Sequence, residues 1–142
     1  MGSIKFSLSV DDRGIKDRFE DLLGLVSKKE RITKKVGEVV RDEAKKRAPV
    51  DTGKLEENIR VEKRGGVTSV ISDASEGGDN YALRLHESDT WNLGPKSREK
   101  DKRQPEKVGP RWLTRAVNEN ENKLNEASIQ EAKDILLSVN KK

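Results

Sequence analysis

The sequence predicts an α+β fold: a small antiparallel sheet packed by two or three helices, a long C-terminal helix and one long mobile loop. Three patterns lead to this prediction. Apolar residues recur at helical spacing from Ile32 to Ala48, β-prone runs flank Gly65-Gly66, and a second helical pattern follows Pro110. A chain of 142 residues has the length of one domain, so residues 1–142 are expected to form a single domain.

One strand and one or two helices are predicted before the first corner of the chain. Apolar and polar residues alternate from Ile4 to Val10, as in a half-buried strand. Asp11 or Asp12 can then cap a helix. The stretch 27–31 fits either a break or a continuation into the second predicted helix, over 32–47.

A sharp corner follows the second helix. Pro49 cannot extend the helical hydrogen bonds and disfavours helical geometry in the residue before it. Asp51 and Thr52 can bond nearby backbone N–H groups, and Gly53 permits a positive φ. A short helix is expected to resume near Leu55.

A β-hairpin is predicted next, with strands over 59–61 and 67–71 and a turn at Gly65-Gly66. A polar loop follows over 72–80. Between Tyr81 and His86 every second residue is apolar or aromatic, which favours a third strand over a short helix.

The last third of the chain is predicted as a mobile loop followed by a helix. Residues 88–108 carry Gly94-Pro95 and a charged run but few signals of order, and a loop this long is usually functional or disordered. Pro110 suits the first turn of a helix extending to Val139, about 28 residues long. Its end, residues 126–142, is expected to project from the body or to end against a neighbour.

The composition indicates a thin core. Only 31% of the residues are hydrophobic and 39% are charged, so either parts of the chain are unstructured or copies of the chain bury surface together. The net charge of +4 is weaker than expected for a dedicated DNA binder. The absence of cysteine excludes disulfides and thiol catalysis. No apolar run is long enough to predict a membrane span.

The residue patterns predict no enzyme, no metal site and no cofactor. His86 is the only histidine, and the chain has no Gly-x-Ser-x-Gly nucleophile elbow. Asp73, Ser75, Gly77 and Asp79 occupy alternate positions, as ligands do in a calcium loop, but Arg84 occupies the twelfth position, where that loop needs Glu. The glycine pairs lack the remaining residues of phosphate-binding motifs.

Two features of the 88–108 loop have open interpretations. Its basic residues are either solvated or meet DNA phosphates or a neighbouring subunit, although the loop offers no aromatic residue among them to stack on bases. The candidate DNA-facing residues are Lys96, Arg98, Lys100, Lys102 and Arg103. Trp91 is expected to be either a packing anchor or an interface residue.

The corner carries a distinctive string, since residues 48–59 read A-P-V-D-T-G-K-L-E-E-N-I. This string resembles the signature A-P-V-D-T-G-x-L-r-x-S-I of a family of long-tailed bacteriophage proteins. They are tail-component proteins, also described as tail completion, neck, head–tail joining or minor capsid proteins. Glu56 and Asn58 stand where the family more often has a basic residue and Ser.

Two further family elements follow in order. With one residue inserted, 81–90 resembles Y-A-x-x-x-E-x-G-T, although Ser88-Asp89-Thr90 replaces the Gly-Thr turn. Residues 109–116 are similar to P-x-x-F-L-x-x-A, with Trp112 in the aromatic place. The three matches together cover roughly residues 32 to 125.

The resemblance implies a structural virion protein of the head–tail joint, assembled in the host cytoplasm. Such proteins form rings, often sixfold, between connector and tail tube, with DNA passing through the lumen. The expected partners are therefore further copies of the chain in a ring, expected to be a hexamer, and the connector or head-closure and tail tube proteins. The residues expected at subunit interfaces are Pro49, Val50, Asp51, Thr52, Gly53, Leu55, Tyr81, Glu87, Trp91 and Trp112.

Two other classes of function stay open at this point. The first is a basic nucleic-acid-binding module, which would show salt-dependent DNA affinity. The second is a small hydrolase that uses His86.

Overall fold

The computed structural model describes residues 13–89 and 92–139, and these residues have the predicted α+β fold. The antiparallel hairpin and the long C-terminal helix are confirmed. The strand predicted over residues 4–10 lies outside the described residues. The elements in chain order are α1 (Arg13–Arg47), α2 (Lys54–Asn58), β1 (Arg60–Arg64), β2 (Val67–Ile71), α3 (Tyr81–Glu87), α4 (Pro95–Arg103), α5 (Trp112–Asn118) and α6 (Glu121–Val139).

Helix α1 is continuous over 35 residues, about 52 Å. The two helices predicted before the corner are therefore one helix. The stretch 27–31 contains Lys, Glu and Arg, which are good helix formers, and it carries no residue that stops a helix.

The hairpin packs one of its faces against the middle of α1. Gly65 and Gly66 both have positive φ, as a two-residue type I′ turn requires. A Cβ atom at Gly37 would lie 3.1 Å from a methyl group of Val61 and 3.3 Å from that of Thr68. The glycine therefore allows the sheet to approach the helix closely.

Residues 81–87 form a helix, so the predicted third strand is wrong. The Asn80 side chain accepts a hydrogen bond from the Leu83 N–H at 3.1 Å and caps the helix. Ala82 is buried and Leu85 packs against the core, whereas Leu83 is exposed. The helix therefore buries positions 82 and 85, three residues apart, and the alternation had no structural meaning.

The stretch 88–108 is not a loop throughout, because helix α4 occupies nine of its residues. Pro95 lies in the first turn of α4, where its missing N–H costs nothing. The predicted mobility of 88–108 stays a prediction, but Pro95–Arg103 has regular structure held by contacts described below.

The predicted helix from Pro110 to Val139 is interrupted, because α5 and α6 are separated by a turn at Glu119 and Asn120. The Asn120 side chain donates to the carbonyl of Ala116 at 2.9 Å. Helix α6 packs against the body of the protein at least up to Ile135, whose side chain is buried. Helix α6 lies along α1 in the opposite direction, with Glu131 paired to Arg31 at 2.7 Å.

The core lies where the end of α1 meets α2, α3 and α5. Trp112 is its largest side chain, and five alanines allow the elements to approach one another. The core is small, as the composition predicted. Its buried members are Ala44, Ala48, Leu55, Ile59, Ala74, Ala82, Trp112 and Ala116.

We predict that Gly53→Ala destabilises the protein by about 1–2 kcal/mol, whereas Gly94→Ala is close to neutral. Gly53 has a φ of +88°, and the nearest atom to its added Cβ would be 3.8 Å away, so the cost is backbone strain rather than collision. Gly94 is a matched control, since its φ of −67° suits any residue and its Cβ would meet open space. Urea denaturation measures both changes, and equal costs would contradict this account of the corner.

Candidate functional site: the corner cleft

A cleft of about 630 Å³ opens beside the corner, and we call it the corner cleft. Its walls are the chain after α1, the turn around Glu76 and Asp79, helix α3 and the start of α4. Seven residues predicted at subunit interfaces line it: Pro49, Val50, Asp51, Thr52, Gly53, Leu55 and Tyr81. The signature string and the later Tyr81 therefore meet at one surface feature.

Helix α4 fixes the corner from one side. The hydroxyl of Ser97 accepts a hydrogen bond from the Val50 N–H at 2.8 Å and donates to the Val50 carbonyl at 2.9 Å. Lys96 donates from Nζ to the Asp51 carbonyl at 2.7 Å. Ser97 is only 2% exposed, so its two bonds to Val50 are shielded from water, whereas the bond from Lys96 is exposed. The corner thus acquires hydrogen-bond partners that its own sequence does not supply.

The same helix supplies partners for the end of α1. The last carbonyls of any α-helix have no partner within the helix. Lys100 donates from Nζ to the carbonyls of Lys45 and Ala48, the latter at 2.9 Å, and to the carboxylate of Glu56. A cation at the C-terminal end of a helix also interacts favourably with the helix dipole.

The two remaining carbonyls of this turn are bonded by the chain that follows α4. Gln104 donates from its side-chain amide to the Lys46 carbonyl, and the Gly109 N–H donates to the Arg47 carbonyl at 3.1 Å. All four carbonyls from 45 to 48 therefore have partners between residues 100 and 109. We call this set of contacts the helix-end clamp.

A buried charge cluster lies next to the helix-end clamp. Glu43 and Arg47 are only 2% and 4% exposed, and their side chains are 2.8 Å apart. Glu43 also pairs with Lys46 on α1 and with Lys123 on α6. Burial alone would raise the pKa of the Glu43 carboxyl. The hydrogen bonds that Lys123, Lys46 and Arg47 donate outweigh burial and lower this pKa to about 2.

Arg47 continues the cluster toward α5. It donates from Nε to Glu119 at 2.8 Å, and Glu119 also accepts from Arg115 at 2.9 Å. Arg115 in turn donates to the carbonyl of Lys107 at 3.0 Å. The end of α1 is therefore joined to α5, to α6 and to the chain between α4 and α5 through charged hydrogen bonds.

The rim of the corner cleft carries charges of both signs. Asp79 pairs with Arg84 at 2.6 Å, and Glu76 pairs with Lys54 at 3.6 Å. These ions are exposed, so each pair contributes little to folding stability. Asp51 and Thr52 form an exposed tip beside them. A mixed polar rim around an apolar floor is typical of a surface that meets another protein.

Two residues predicted at interfaces lie elsewhere, and Trp91 lies outside the described residues. Trp112 is 2% exposed, so its prediction as an interface residue is wrong: it is a core residue. Its ring packs edge-to-face on His86, with the centroids 5.4 Å apart. Glu87 is exposed and does not line the corner cleft. Its carboxylate lies 2.6 Å from Nδ1 of His86.

His86 also approaches Thr114, with 3.3 Å between Nε2 and the hydroxyl oxygen. An acid, a histidine and a hydroxyl are the components of a hydrolase triad. Neither the corner cleft nor the smaller cleft at Asn58 is lined by His86 or Thr114, so neither gives a substrate access to them. Within this set of contacts His86 joins α3 to α5.

The predicted DNA-facing residues divide into two groups. Lys96 and Lys100 donate to backbone carbonyls of the corner and of α1, and that these two lysines also face DNA stays a prediction. Arg98, Lys102 and Arg103 are exposed, and Arg103 pairs with Glu99. The charged run thus serves the fold on one side of α4 and faces solvent on the other.

Sequence reasoning missed the residues that hold the corner. Ser97, Lys100 and Gln104 fall in the predicted 88–108 loop, and their roles depend on residues about 50 positions earlier. The Glu43–Arg47 pair did carry a signal, because opposite charges four residues apart lie on the same side of a helix. That signal does not distinguish a buried pair from an exposed one.

Neither a metal-binding cluster nor a membrane-spanning helix occurs in the part of the chain that the structure describes. Over 13–89 and 92–139, no group of three or more His, Asp or Glu side chains is placed to hold a metal ion. No helix in those ranges is both long and apolar enough to cross a membrane.

The corner cleft combines an apolar floor with a rim of mixed charge on a small α+β fold. Residues 13–83 match the family model described as "Bacteriophage HK97-gp10, putative tail-component". The match covers half of the chain, from α1 through the corner to the start of α3, and the chain belongs to this family. It is therefore a bacteriophage tail component, and its family implies a place in the virion among other phage structural proteins. No curated protein and no solved structure matches the chain.

We predict that Lys100→Met destabilises the protein by about 1–3 kcal/mol, because it leaves two carbonyls and the carboxylate of Glu56 without their donor. Lys102→Met is the matched control, since Lys102 lies on the exposed side of the same helix. Urea denaturation compares the two variants. Equal stability of both would show that the helix-end clamp contributes nothing.

A second prediction concerns the pH dependence of stability. Because the pKa of Glu43 falls from 4.5 to about 2 on folding, its stabilising contribution is present above pH 4.5 and is lost as the pH falls towards 2. The wild type should therefore lose on the order of 2–3 kcal/mol more than Glu43→Gln between pH 5 and pH 2. Glu126→Gln, at an exposed position of α6, should follow the wild type. Parallel curves for all three proteins would contradict the assignment.

Proposed function

We propose that the protein is a subunit of an oligomeric ring at the head–tail joint, where it links the connector to the tail tube. Membership of the tail-component family is the observation that carries this proposal. The family match includes the whole corner, and the corner lines the corner cleft. The most family-specific part of the sequence is thus exposed where another protein can reach it.

The surface chemistry supports assembly with further copies of the chain. Ile129, Leu136 and Leu137 are each more than half exposed, and their spacing places them on one side of α6. A closed ring needs two different surfaces on each subunit, one of which meets the other on the next copy. The corner cleft and the exposed stripe of α6 are two such surfaces.

The corner cleft is the proposed contact for a neighbouring subunit, and six copies are the expected number. Its floor includes Leu55 and Tyr81, and its rim carries both Asp79 and Arg84. Contacts with such a rim weaken as salt screens the charges. Further partners in this proposal are the connector or head-closure proteins and the tail tube, with DNA in the lumen. The exposed Arg98 and Lys102 are the residues proposed to face that DNA.

The experiment is deletion of the gene in the phage or prophage that encodes the protein. We expect DNA-filled heads and tails that fail to join, or tails of abnormal length, in electron micrographs. The wild-type gene supplied in trans should restore joined particles that contain the protein. Normal infectious particles from the deletion, with the protein absent from purified virions, would refute the structural role.

Two variants test whether the corner cleft takes part. Asp51→Arg changes the exposed tip of the corner, where the carboxylate has no role in the helix-end clamp. Asp42→Arg makes the same charge change at an exposed position of α1, outside both the corner cleft and the exposed stripe of α6. We expect only the second variant to restore joined particles to the deletion strain, with both proteins folded by circular dichroism. Restoration by both would exclude the corner tip from the contact.

A further inference from the structure

Within residues 13–89 and 92–139, the two-stranded sheet has edges that no further strand covers. Among the described residues, only β1 and β2 belong to the sheet, so each strand has one side without a neighbour. Such edges present backbone groups that can pair with another chain. Natural proteins protect edges with charged side chains, and β1 carries four charges in five residues. β2 reads Val-Thr-Ser-Val-Ile, with no charge, proline or glycine.

The register identifies the free backbone groups of β2. In a hairpin with a two-residue turn, the pair beside the turn exchanges hydrogen bonds, and the pattern then alternates. Val67, Ser69 and Ile71, which face Arg64, Glu62 and Arg60, therefore bond to β1. Thr68 and Val70 direct their N–H and C=O groups away from β1.

The two faces of this edge differ in character. Thr68 and Val70 lie on the face toward α1, where Thr68 bonds to Thr33 at 2.9 Å. Ser69 lies on the opposite face together with Val67 and Ile71, and Val67 and Ser69 are exposed to solvent. A strand added to this edge would need apolar side chains toward α1 and polar side chains on the outer face.

The chain contains one segment with this pattern. Ile4, Phe6, Leu8 and Val10 alternate with Lys5, Ser7 and Ser9. This segment can place its four apolar residues on the α1 side of the edge and its three polar residues on the outer face. Its seven residues are enough to pair with the five of β2.

The centre of the segment cannot reach Thr68 within its own chain. Thr68 bonds to Thr33, which is about 30 Å along α1 from Arg13, and its methyl group lies beside Gly37, about 36 Å along α1. Ile4 stands nine residues before Arg13, so a fully extended chain carries this first residue of the segment about 32 Å. The centre of the segment, Ser7, reaches about 22 Å. Pairing along the whole of β2 therefore requires the segment of another copy.

We propose that residues 4–10 of one copy pair with the free edge of β2 in the next copy and extend its sheet. This exchange is a head-to-tail contact, since each copy gives one segment and receives one. This inference rests on the ring assembly proposed above, because strand exchange requires that copies of the chain meet. Main-chain hydrogen bonds supply the affinity, and the alternation fixes which side faces α1.

Disulfide trapping tests this pairing in the full-length protein, which contains no cysteine of its own. One chain carries Ser7→Cys and a second chain, with a tag of different size, carries Ser69→Cys. Paired strands bring opposite Cα atoms within the distance that a disulfide needs. Mixing the two chains at high concentration under mild oxidation should give a dimer with one chain of each size. Lys5→Cys and Ser9→Cys test registers shifted by two residues.

The matched control is Glu62→Cys in place of Ser69→Cys. Glu62 faces Ser69 on β1, on the same side of the sheet but one strand further from the proposed partner. That added spacing makes the distance too long for a disulfide, so roughly tenfold less mixed dimer is expected. Phe6→Asp should reduce trapping by Ser69→Cys because it directs a charge toward α1, whereas Lys5→Asp should not.

Three results would overturn the proposal. The first is equal or stronger trapping by Glu62→Cys. The second is an intramolecular disulfide in the double variant Ser7→Cys/Ser69→Cys, combined with no mixed dimer when the two single variants are mixed. The third is no mixed dimer from positions 5, 7 or 9. Any of these results rejects strand exchange. If the deletion strain still fails to join heads and tails, the proposed function is retained. Trapping together with normal particles from the deletion rejects the proposed function and keeps the exchange.

Discussion

The structure depends on how the end of α1 is completed. Four backbone carbonyls at that end need hydrogen-bond donors. The chain turns away at Pro49, so no further helical turn supplies N–H groups to them. The donors come from residues 100–109, far along the chain. Unpaired carbonyls in a buried position would each cost on the order of 1–3 kcal/mol. This requirement joins the two halves of a protein whose apolar core is small.

The corner cleft is a consequence of the same contacts. Ser97 bonds both backbone groups of Val50 and holds the start of α4 against the corner. The space between this helix and α3 is the corner cleft, and Asp51 and Thr52 are left at its exposed tip. A fixed corner loses little conformational entropy when a partner binds. A phage component that must add to a growing particle in one orientation benefits from such a rigid surface.

Local chemistry predicted part of this fold from the sequence. Gly65-Gly66 predicted the hairpin, and Pro49 with Gly53 predicted the corner, because turns depend on adjacent residues. Seven predicted interface residues lie together because six of them belong to one short string. Helix α4 was missed because the bonds that hold it join residues about 50 positions apart, as between Ser97 and Val50. The directions of Lys96 and Lys100 depend on the same packing, so charge alone could not predict that these side chains donate to backbone carbonyls.

The measurement that tests the central claim most directly is native-state hydrogen exchange on the free, full-length chain. The claim is that 95–109 is part of the cooperative fold because it completes the end of α1. The Val50 N–H donates to Ser97, and the Gly109 N–H donates to the Arg47 carbonyl. Both amides should be protected as strongly as the Ala48 amide, which bonds to Ala44 within the last turn of α1. Exchange of Val50 and Gly109 at the rate of an unstructured chain, with Ala48 still protected, would contradict the account.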